Sequence, residues 1–241
     1  MLSALVRTHP WLAAGTPRGG LSTRVGFPAA LDEADPEQDR AAVRRALSRT
    51  LGKDDVTYAW GQQVHGARVL QVSAAGLQGE ADALVAQAPG PVLLVSVADC
   101  CPVLAWDAAS GVYGVAHAGW RGAVAGILGQ FAQALRLRGA DLSRVRAWIG
   151  PSIGPCCFEV GQDVAAHFED GSVVAPGANS PAGTRPHINL RAACVRQLSD
   201  AGIALERVAV CPDCTVCRGE LYWSFRRDRG ICGRHLGYLT L

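Results

Sequence analysis

The sequence carries little charge and no marked excess of either sign. Only 18% of its 241 residues are charged, and 23 basic against 21 acidic side chains leave a formal net charge of +2. A nucleic-acid or acidic-membrane partner needs a marked basic excess, so the composition gives no reason to expect either. Hydrophobic residues make up 49% of the chain, which excludes an intrinsically disordered protein.

The sequence also lacks a long apolar run. Stretches such as Pro91–Ala98 fall well short of the roughly 20 residues that a membrane-spanning helix needs. Arg7, His9 and Pro10 interrupt the N-terminal apolar residues, which makes this segment a poor signal peptide. The nine cysteines are an odd number in a long chain, unlike a secreted disulfide framework. We therefore expect a cytoplasmic protein with mostly reduced thiols.

The pattern of apolar residues predicts a mixture of short strands and helices. The 28 glycines and 13 prolines indicate many tight turns. Predicted strands cover residues 67–72, 92–98, 103–106, 112–116, 145–149, 208–211, 221–226 and 236–241. Predicted helices begin at Asp35-Pro36 and cover residues 122–138, 161–168 and 189–198. Because strands and helices do not alternate strictly, we predict an α+β fold, a single domain over residues 1–241 with mixed β-sheets flanked by helices.

Three segments place a reactive side chain beside glycine or proline where a predicted strand stops. They are Gln62-Gln63-Val64-His65-Gly66, Ala98-Asp99-Cys100-Cys101-Pro102 and His117-Ala118-Gly119-Trp120-Arg121-Gly122. Functional sites are common at such positions, and one cysteine with two histidines can hold zinc with a fourth position open. A lone histidine is more often a structural hydrogen-bonding group, and cysteine often packs as a small hydrophobe. The residues alone leave the choice open.

The ordered set of motifs resembles a known family. QVHGARV, ADALV, VADCCPVLAWD, GVAHAGWRGAVAGI, IGPSIGPCCFEVG and SFRRDRGICGR are similar to the motifs of the bacterial laccase-domain family. Members have been described as multicopper polyphenol oxidoreductases and as purine nucleoside phosphorylases with adenosine deaminase activity. The resemblance covers Gln62 to Leu241. Upstream, Arg18–Ser22 resembles a family turn with one residue missing, and the element that follows it in the family is not evident around Phe27–Leu31.

The resemblance implies that His65, Cys100 and His117 bind one zinc ion, for which copper is a possible substitute. Successive strand residues point to opposite faces, so at most one of Cys100 and Cys101 faces the site. We take Cys101 as a packing residue. Six histidines in the whole chain are too few for a blue-copper site plus a trinuclear cluster, which excludes a multicopper oxidase.

The resemblance further implies phosphorolysis of adenosine, inosine, guanosine and methylthioadenosine, with deamination of adenosine at the same site. The partners are then purine nucleosides and phosphate. Arg121 is our candidate for the phosphate-binding cation, because arginine makes bidentate contacts with phosphate oxygens. The expected catalytic group is Cys100, His117 and Arg121. The segment with Arg226, Arg227 and Arg234 indicates a turn near the site or an assembly surface.

The deamination half of this prediction lacks one expected group. Zinc deaminases pair the metal with a glutamate in His-x-Glu, and here Gly119 is the second residue after His117. Asp99 and Asp82 remain candidates for the proton carrier, although acids beside strands are more often turn or cap residues.

Two other kinds of enzyme fit the same residues. The first is a thiol hydrolase in which His117 activates Cys100 for attack on an amide. The second is a polyphenol oxidase with copper in the same site. A non-enzymatic alternative is a metal-binding interaction module built on the cysteine-rich tail.

That tail contains Cys211-x-x-Cys214-x-x-Cys217, followed later by Cys232. By spacing, four such cysteines can form a zinc or iron–sulfur site. Within the resemblance only Cys214-Thr215 matches the family, so we expect these cysteines to pack or to form a disulfide rather than bind metal.

Overall fold

A computed structural model describes residues 6–13, 17–24, 36–168, 171–174 and 184–241. Asp35 and the segment Phe27–Leu31 lie outside the described residues. The strands are β1 (Val6–Arg7), β2 (Arg18–Ser22), β3 (Tyr58–Gln62), β4 (Val69–Gln71), β5 (Gly76–Glu80), β6 (Ala83–Gln87), β7 (Val92–Val97), β8 (Cys101–Asp107), β9 (Val112–Ala118), β10 (Arg146–Ile149), β11 (Val173–Val174), β12 (His187–Ile188), β13 (Val208–Val210) and β14 (His235–Thr240). The helices are α1 (Pro10–Ala13), α2 (Pro36–Leu51), α3 (Trp120–Val124), α4 (Ile127–Leu137), α5 (Gln162–Ala165) and α6 (Leu190–Asp200).

The strands form two mixed sheets of six strands each and a small separate pair. Sheet I has the order β1-β2-β14-β7-β3-β5, and sheet II has the order β13-β10-β8-β9-β6-β4. In sheet I, β3 runs parallel to both β7 and β5. In sheet II the outer pairs β10–β13 and β4–β6 are parallel, and the inner pairs are antiparallel. In each parallel outer pair, the segments that follow the two strands leave the sheet at the same edge.

The two sheets pack face to face, and helices cover their outer faces. Along β7 the side chains alternate between two layers. Leu93 and Val95 pack into the core between the sheets, whereas Leu94 packs with Leu47 of α2 on the other side. The outer face of sheet II packs against α4 and α6. The result is a layered arrangement of helix, sheet, sheet and helices, which confirms the predicted α+β, single-domain fold.

A close contact between β9 and α4 explains how helices reach sheet II. A Cβ on Gly114 would lie 2.6 Å from the Phe131 ring and 2.8 Å from the Leu84 carbonyl oxygen. The missing side chain at this position therefore lets α4 lie directly on the sheet. This fixes α3, which precedes α4, above the end of β9.

Most sequence predictions agree with the observed elements. The predicted strands at 67–72, 92–98, 103–106, 112–116, 145–149, 208–211 and 236–241 are confirmed as β4, β7, β8, β9, β10, β13 and β14, with ends shifted by a few residues. The helices after Pro36 and at 161–168 are confirmed as α2 and α5. Asn189 caps α6 as predicted, since its side chain accepts a hydrogen bond from the Ala192 N–H. None of the described helices is both long and apolar enough to cross a membrane.

Three predictions are wrong in instructive ways. The helix predicted over 122–138 is two helices, because Gly126 adopts a φ of 77° and interrupts the helical backbone between α3 and α4. The strand predicted over 221–226 is a series of turns, in which Asp228 N–H bonds to the Ser224 carbonyl. Arg18–Ser22, expected to form a turn, is strand β2, paired with β1 and β14.

Candidate metal and active site

His65, Cys100 and His117 come together where the chain passes from one sheet to the other. His65 lies in the loop after β3, Cys100 in the turn between β7 and β8, and His117 near the end of β9. Their ligand atoms all lie within 4.8 Å of one another, and the two imidazole rings meet edge to face with centroids 4.7 Å apart. Two imidazoles and one thiolate with an open fourth position fit zinc.

Asp82 holds the loop that carries His65. Its carboxylate accepts hydrogen bonds from the backbone N–H groups of Val64, His65 and Gly66, at 3.2, 3.0 and 2.8 Å. His65 has a φ of 60°, in the left-handed region that non-glycine residues rarely adopt. The three hydrogen bonds to the buried Asp82 carboxylate hold this backbone in place. Asp82 therefore determines the position of His65.

The same carboxylate also orients His117. Asp82 Oδ1 lies 2.8 Å from His117 Nδ1, which leaves Nε2 as the free nitrogen on the side of Cys100. A carboxylate behind a ligating imidazole is the usual way to fix its tautomer and ring orientation. One side chain, 1% exposed, thus positions two of the three candidate ligands.

The electrostatics of the site favour a thiolate at Cys100. Burial raises the pKa of Cys100, but His117 and His65 more than offset this and lower the pKa to about 6. Burial lowers the pKa of His117, but Cys100 and Asp82 raise it to about 9. Because the thiolate is the form that binds metal, Cys100 is a ready ligand near neutral pH.

The neighbours of Cys100 leave room for this geometry. Cys101 points the other way and is fully buried in the core that faces α4 and α6, where it contacts Cys194. It packs as predicted. A Cβ on Gly119 would lie 3.1 Å from both Cys100 Sγ and His65 Cδ2. The absence of a side chain at Gly119 therefore allows the two ligands to approach the end of β9.

Arg121 lies beside this group on α3, a helix of only five residues. Its guanidinium stacks 4.4 Å above the Trp120 ring. Within the described residues it makes no hydrogen bond or ion pair, and it lines the same cleft as the three candidate ligands. A simple structural role for Arg121 would be a salt bridge at the surface, and the described residues form none with it. The structure therefore leaves an available cation next to the candidate metal site.

The cleft has a volume of about 1420 Å³. Its walls combine aromatic residues with two further arginines, Arg226 and Arg234. The Arg226 guanidinium donates to the carbonyl oxygens of Cys157 and Glu159, at 3.3 and 2.9 Å. Arg227 instead turns away and donates to the Thr215 and Tyr222 carbonyls. A cleft with aromatic side chains, polar groups and a few cations suits an aromatic ligand that carries or meets an anion.

Asp99 fastens the far wall of the cleft to the turn that carries Cys100. Its carboxylate accepts from Thr215 Oγ1 at 2.6 Å, Ser224 Oγ at 3.0 Å and Arg226 N–H at 2.7 Å. The sequence pattern did not reveal this network, because its donors come from more than a hundred residues away. Both acids considered as proton carriers, Asp82 and Asp99, are thus bonded by several donors of the protein itself.

The cysteine-rich tail is organised differently from what its spacing suggested. All nine cysteines are free thiols, so of the two expected outcomes, packing and a disulfide, the structure shows no disulfide. Cys211 is buried in the core between the sheets, and Cys232 Sγ accepts a hydrogen bond from Arg234. Cys214 and Cys217 lie instead with Cys156 and Cys157. The four cysteines of the tail therefore do not form one group.

The histidines do not provide a multicopper centre. All six lie in the described residues, and only His65 and His117 belong to a group with metal-ligating geometry. His235 is fully buried and accepts from the Trp223 N–H, and His9 meets the Trp11 ring edge to face. Among the described residues, the other four histidines therefore join no metal-ligating group.

Comparison with known proteins gives consistent matches. The family model described as "Multi-copper polyphenol oxidoreductase laccase" matches residues 14–241. The chain is 36% identical over 210 residues to the purine nucleoside phosphorylase ORF3 of Streptomyces griseus, covering 84% of this chain and 83% of that protein. It is 34% identical over 201 residues to the adenosine deaminase RL5 of an unknown prokaryotic organism, covering 77% of this chain and 75% of that protein.

A solved structure supports the same relationship. The crystal structure of YlmD from Geobacillus stearothermophilus matches with a TM-score of 0.84 and 29% identity, over 96% of this chain and 93% of that chain. The family model, both sequence relatives and the solved structure each match more than three quarters of the chain. The chain belongs to the multi-copper polyphenol oxidoreductase laccase family, the family that its ordered motifs resemble.

Proposed function

We propose that this protein is a zinc-dependent purine nucleoside phosphorylase that also deaminates adenosine at the same site. The observation that carries the proposal is the group of His65, Cys100 and His117 in one cleft with the available guanidinium of Arg121. The printed names of two relatives, a purine nucleoside phosphorylase and an adenosine deaminase, support this reaction class. The proposed substrates are phosphate with adenosine, inosine, guanosine and methylthioadenosine.

In phosphorolysis, a phosphate oxygen bonds to the anomeric carbon of the ribose while the bond to the purine nitrogen breaks. The electron pair of that bond leaves with the purine, which takes up a proton. Arg121 binds the attacking phosphate through two parallel N–H···O contacts. Asp82 keeps His117 and the His65 loop in position throughout. When bound by these ligands, zinc supplies Lewis-acid chemistry near neutral pH.

In deamination, water bonds to C6 of adenosine and ammonia leaves. This step needs no phosphate, so it does not need Arg121. We therefore expect Arg121→Gln to lose phosphorolysis by about 100-fold, the scale of one lost charged contact in a reaction centre, and to keep deamination. Arg136→Gln is a matched control, because Arg136 is exposed on α4 and does not line the cleft. Equal loss of both activities in Arg121→Gln would contradict the assigned role.

The test of the proposal is a product analysis. Purified protein is incubated with adenosine, with and without phosphate, and the products are separated by chromatography. We expect adenine only when phosphate is present, inosine without it, and neither from Cys100→Ala. Cys101→Ala removes the same atoms from the neighbouring residue, which faces the core, and should keep both products. Unchanged adenosine with a protein that carries zinc would overturn the proposal.

The second candidate is a thiol hydrolase that acts on an amide. It is favoured by one observation, since Cys100 lies beside His117 and Asp82 orients that imidazole, the general arrangement of a Cys-His nucleophile. It predicts amide hydrolysis by the metal-free protein and alkylation of Cys100 with loss of that activity. A copper-loaded protein that oxidises polyphenols would support the oxidase instead.

We infer a reducing, cytoplasmic environment for this protein. Its nine cysteines are all free thiols, and unpaired thiols in such number persist where glutathione and thioredoxin keep them reduced. Fractionation of cells that express the protein from its own promoter checks this location.

A further inference from the structure

A second group of metal-ligating side chains lies outside the proposed active site. It consists of Cys156, Cys157, Cys214 and Cys217, whose Sγ atoms all lie within 4.8 Å of one another. The Sγ atom of Cys217 is 3.6 Å from that of Cys156 and 3.5 Å from that of Cys157. Cys214 is buried, and the other three are partly or largely exposed. We call these four residues the thiol cluster.

The parallel pair β10–β13 brings the thiol cluster together. Both strands end at the same edge of sheet II, so the segments that follow them leave side by side. The pairing continues past the strands, where Ser152 forms an isolated parallel bridge with Cys214 and the Thr215 N–H donates to the Ser152 carbonyl at 3.1 Å. The four thiols are therefore positioned by backbone hydrogen bonds and not by chance proximity on the surface.

The sulfur separations fit one tetrahedral ion. A zinc–sulfur bond of about 2.3 Å places the ligands of a tetrahedral zinc site about 3.8 Å apart. The separations of 3.5 and 3.6 Å lie close to that distance. A disulfide needs about 2.05 Å between the sulfurs. A four-iron cluster spreads its ligands further apart, because each thiolate binds a different iron atom.

Backbone donors already stabilise one thiolate of the thiol cluster. The Gly154 N–H donates to Cys214 Sγ at 3.2 Å. Burial raises the pKa of Cys214, but the N–H groups of Cys217 and Gly154 lower it to about 7. Burial and the Cys217 thiol instead raise the pKa of Cys157. Four thiolates at these distances would repel one another, and a cation bound among them offsets that repulsion.

We propose that Cys156, Cys157, Cys214 and Cys217 bind a second, structural zinc ion as four thiolates. The site ties together the two segments that form one wall of the cleft. Phe158 lies on the segment of Cys156 and Cys157, and Arg226 follows Cys214 and Cys217 on the other. This assignment replaces the grouping suggested by spacing, because Cys211 and Cys232 lie outside the cluster.

The first measurement is the zinc content of the purified protein and of Cys217→Ser, by elemental analysis after gel filtration. We expect Cys217→Ser to carry about one zinc ion per chain less than the unchanged protein, as one structural site holds one ion. Cys232→Ser is the matched control, since Cys232 belongs to the same cysteine-rich tail and lies outside the thiol cluster. It should keep the full zinc content. Because the result is a difference, it does not depend on occupancy of the His65–Cys100–His117 site.

A second measurement needs no variant of the thiol cluster and covers the case in which Cys217→Ser does not fold. Cys100→Ala, which lacks the other site, is stripped of metal and titrated with cobalt(II). Four thiolates around cobalt give a strong thiolate-to-metal charge-transfer absorption, and we expect it to saturate at about one cobalt ion per chain. Equal zinc in Cys217→Ser and the unchanged protein, iron with acid-labile sulfide, or no charge-transfer band would each overturn the proposal.

Discussion

At the scale of single residues, Asp82 holds two of the three candidate metal ligands in place and is not itself one of them. It is buried, and its carboxylate bonds both the His65 loop and the His117 ring. An amide at this position keeps the shape, but its NH2 group meets N–H donors that need an acceptor. The role of Asp82 is therefore positioning. We expect its substitution to change metal affinity more than it changes the free energy of unfolding.

We predict that Asp82→Asn weakens zinc binding at this site by about 10- to 100-fold, the usual effect of removing a carboxylate behind a ligating histidine. The measurement is a competition with a chromophoric chelator, made in the Cys217→Ser background so that one site is observed. Asp107→Asn is the control, since Asp107 is also buried but bonds Arg144 and the Asp141 N–H. Unchanged affinity in Asp82→Asn would exclude the positioning role.

His235 gives a second prediction at this scale. Burial lowers its pKa from the ordinary 6.5 to about 4, and its Nε2 accepts from the Trp223 N–H at 2.7 Å. Between these pH values the unfolded chain binds the proton and the folded chain does not, so the free energy of unfolding rises with pH over this window. The neutral imidazole makes its full contribution to the free energy of unfolding above about pH 6.5. About 3 kcal/mol of that free energy is lost when the pH falls to about 4.

The test compares urea unfolding midpoints of the unchanged protein and His235→Gln from pH 4 to pH 8. Glutamine retains an acceptor for the Trp223 N–H but does not titrate. We expect the slope of stability against pH to be smaller in His235→Gln between about pH 4 and 6.5, and equal above that range. Identical slopes throughout would mean that the buried imidazole does not stay neutral.

At the scale of elements, the break between α3 and α4 depends on backbone conformation and not on packing. Gly126 has a φ of 77°, and nothing lies within 4 Å of a Cβ built on it. Gly129, three residues later inside α4, also has open space but a helical backbone. Because neither position is crowded, alanine at the two positions compares a left-handed backbone with a helical one.

We predict opposite signs for alanine at these two positions. Gly126→Ala should lower the free energy of unfolding by about 1 kcal/mol, since an L-residue pays that much in the left-handed region. Gly129→Ala should raise it by up to about 1 kcal/mol, the difference in helix propensity. Thermal or urea unfolding of the two variants measures both. Destabilisation by Gly129→Ala would show that its surroundings are tighter than they look.

The sequence predicted the elements whose side chains alternate or repeat regularly, and missed those held by side-chain bonds. The apolar run of β7 and the helical spacing of α2 were sufficient to predict both. The turns over 221–226 were not predictable, because their apolar residues resemble a strand while Ser224 bonds the distant Asp99. Strand β5 was not predicted because glycines in a sequence indicate turns. Its Gly76 and Gly79 both have positive φ.

The candidate site was predictable to the same extent. The three motifs contain His65, Cys100 and His117, the candidate ligands whose atoms the fold places within 4.8 Å of one another. The partner of His117 could not be read from the sequence, because Asp82 is 35 residues away. The thiol cluster was missed for a similar reason. Its two halves meet through the parallel pairing of β10 with β13, and no local pattern encodes that pairing.

At the scale of the whole molecule, the candidate ligands connect the two sheets. The segment of His65 leaves sheet I, and His117 belongs to sheet II. An ion bound to both should therefore stabilise the packed sheets against unfolding. In the Cys217→Ser background we expect zinc at about 1,000 times its dissociation constant to add about 4 kcal/mol to stability. Calorimetry measures the shift in Tm, and Cys100→Ala in the same background should show none.

The three hydrogen bonds of Asp99 connect the candidate metal site to the opposite wall of the cleft. Asp99 precedes Cys100 in the chain and holds the Arg226 N–H, so the metal side and the ligand side share one hydrogen-bonded connection. We expect a ligand that displaces Arg226 to shift the turn that carries Cys100 as well. Linkage makes such coupling reciprocal, so the factor by which substrate changes metal affinity equals the factor by which metal changes substrate affinity. Metal affinity then becomes a readout of substrate occupancy.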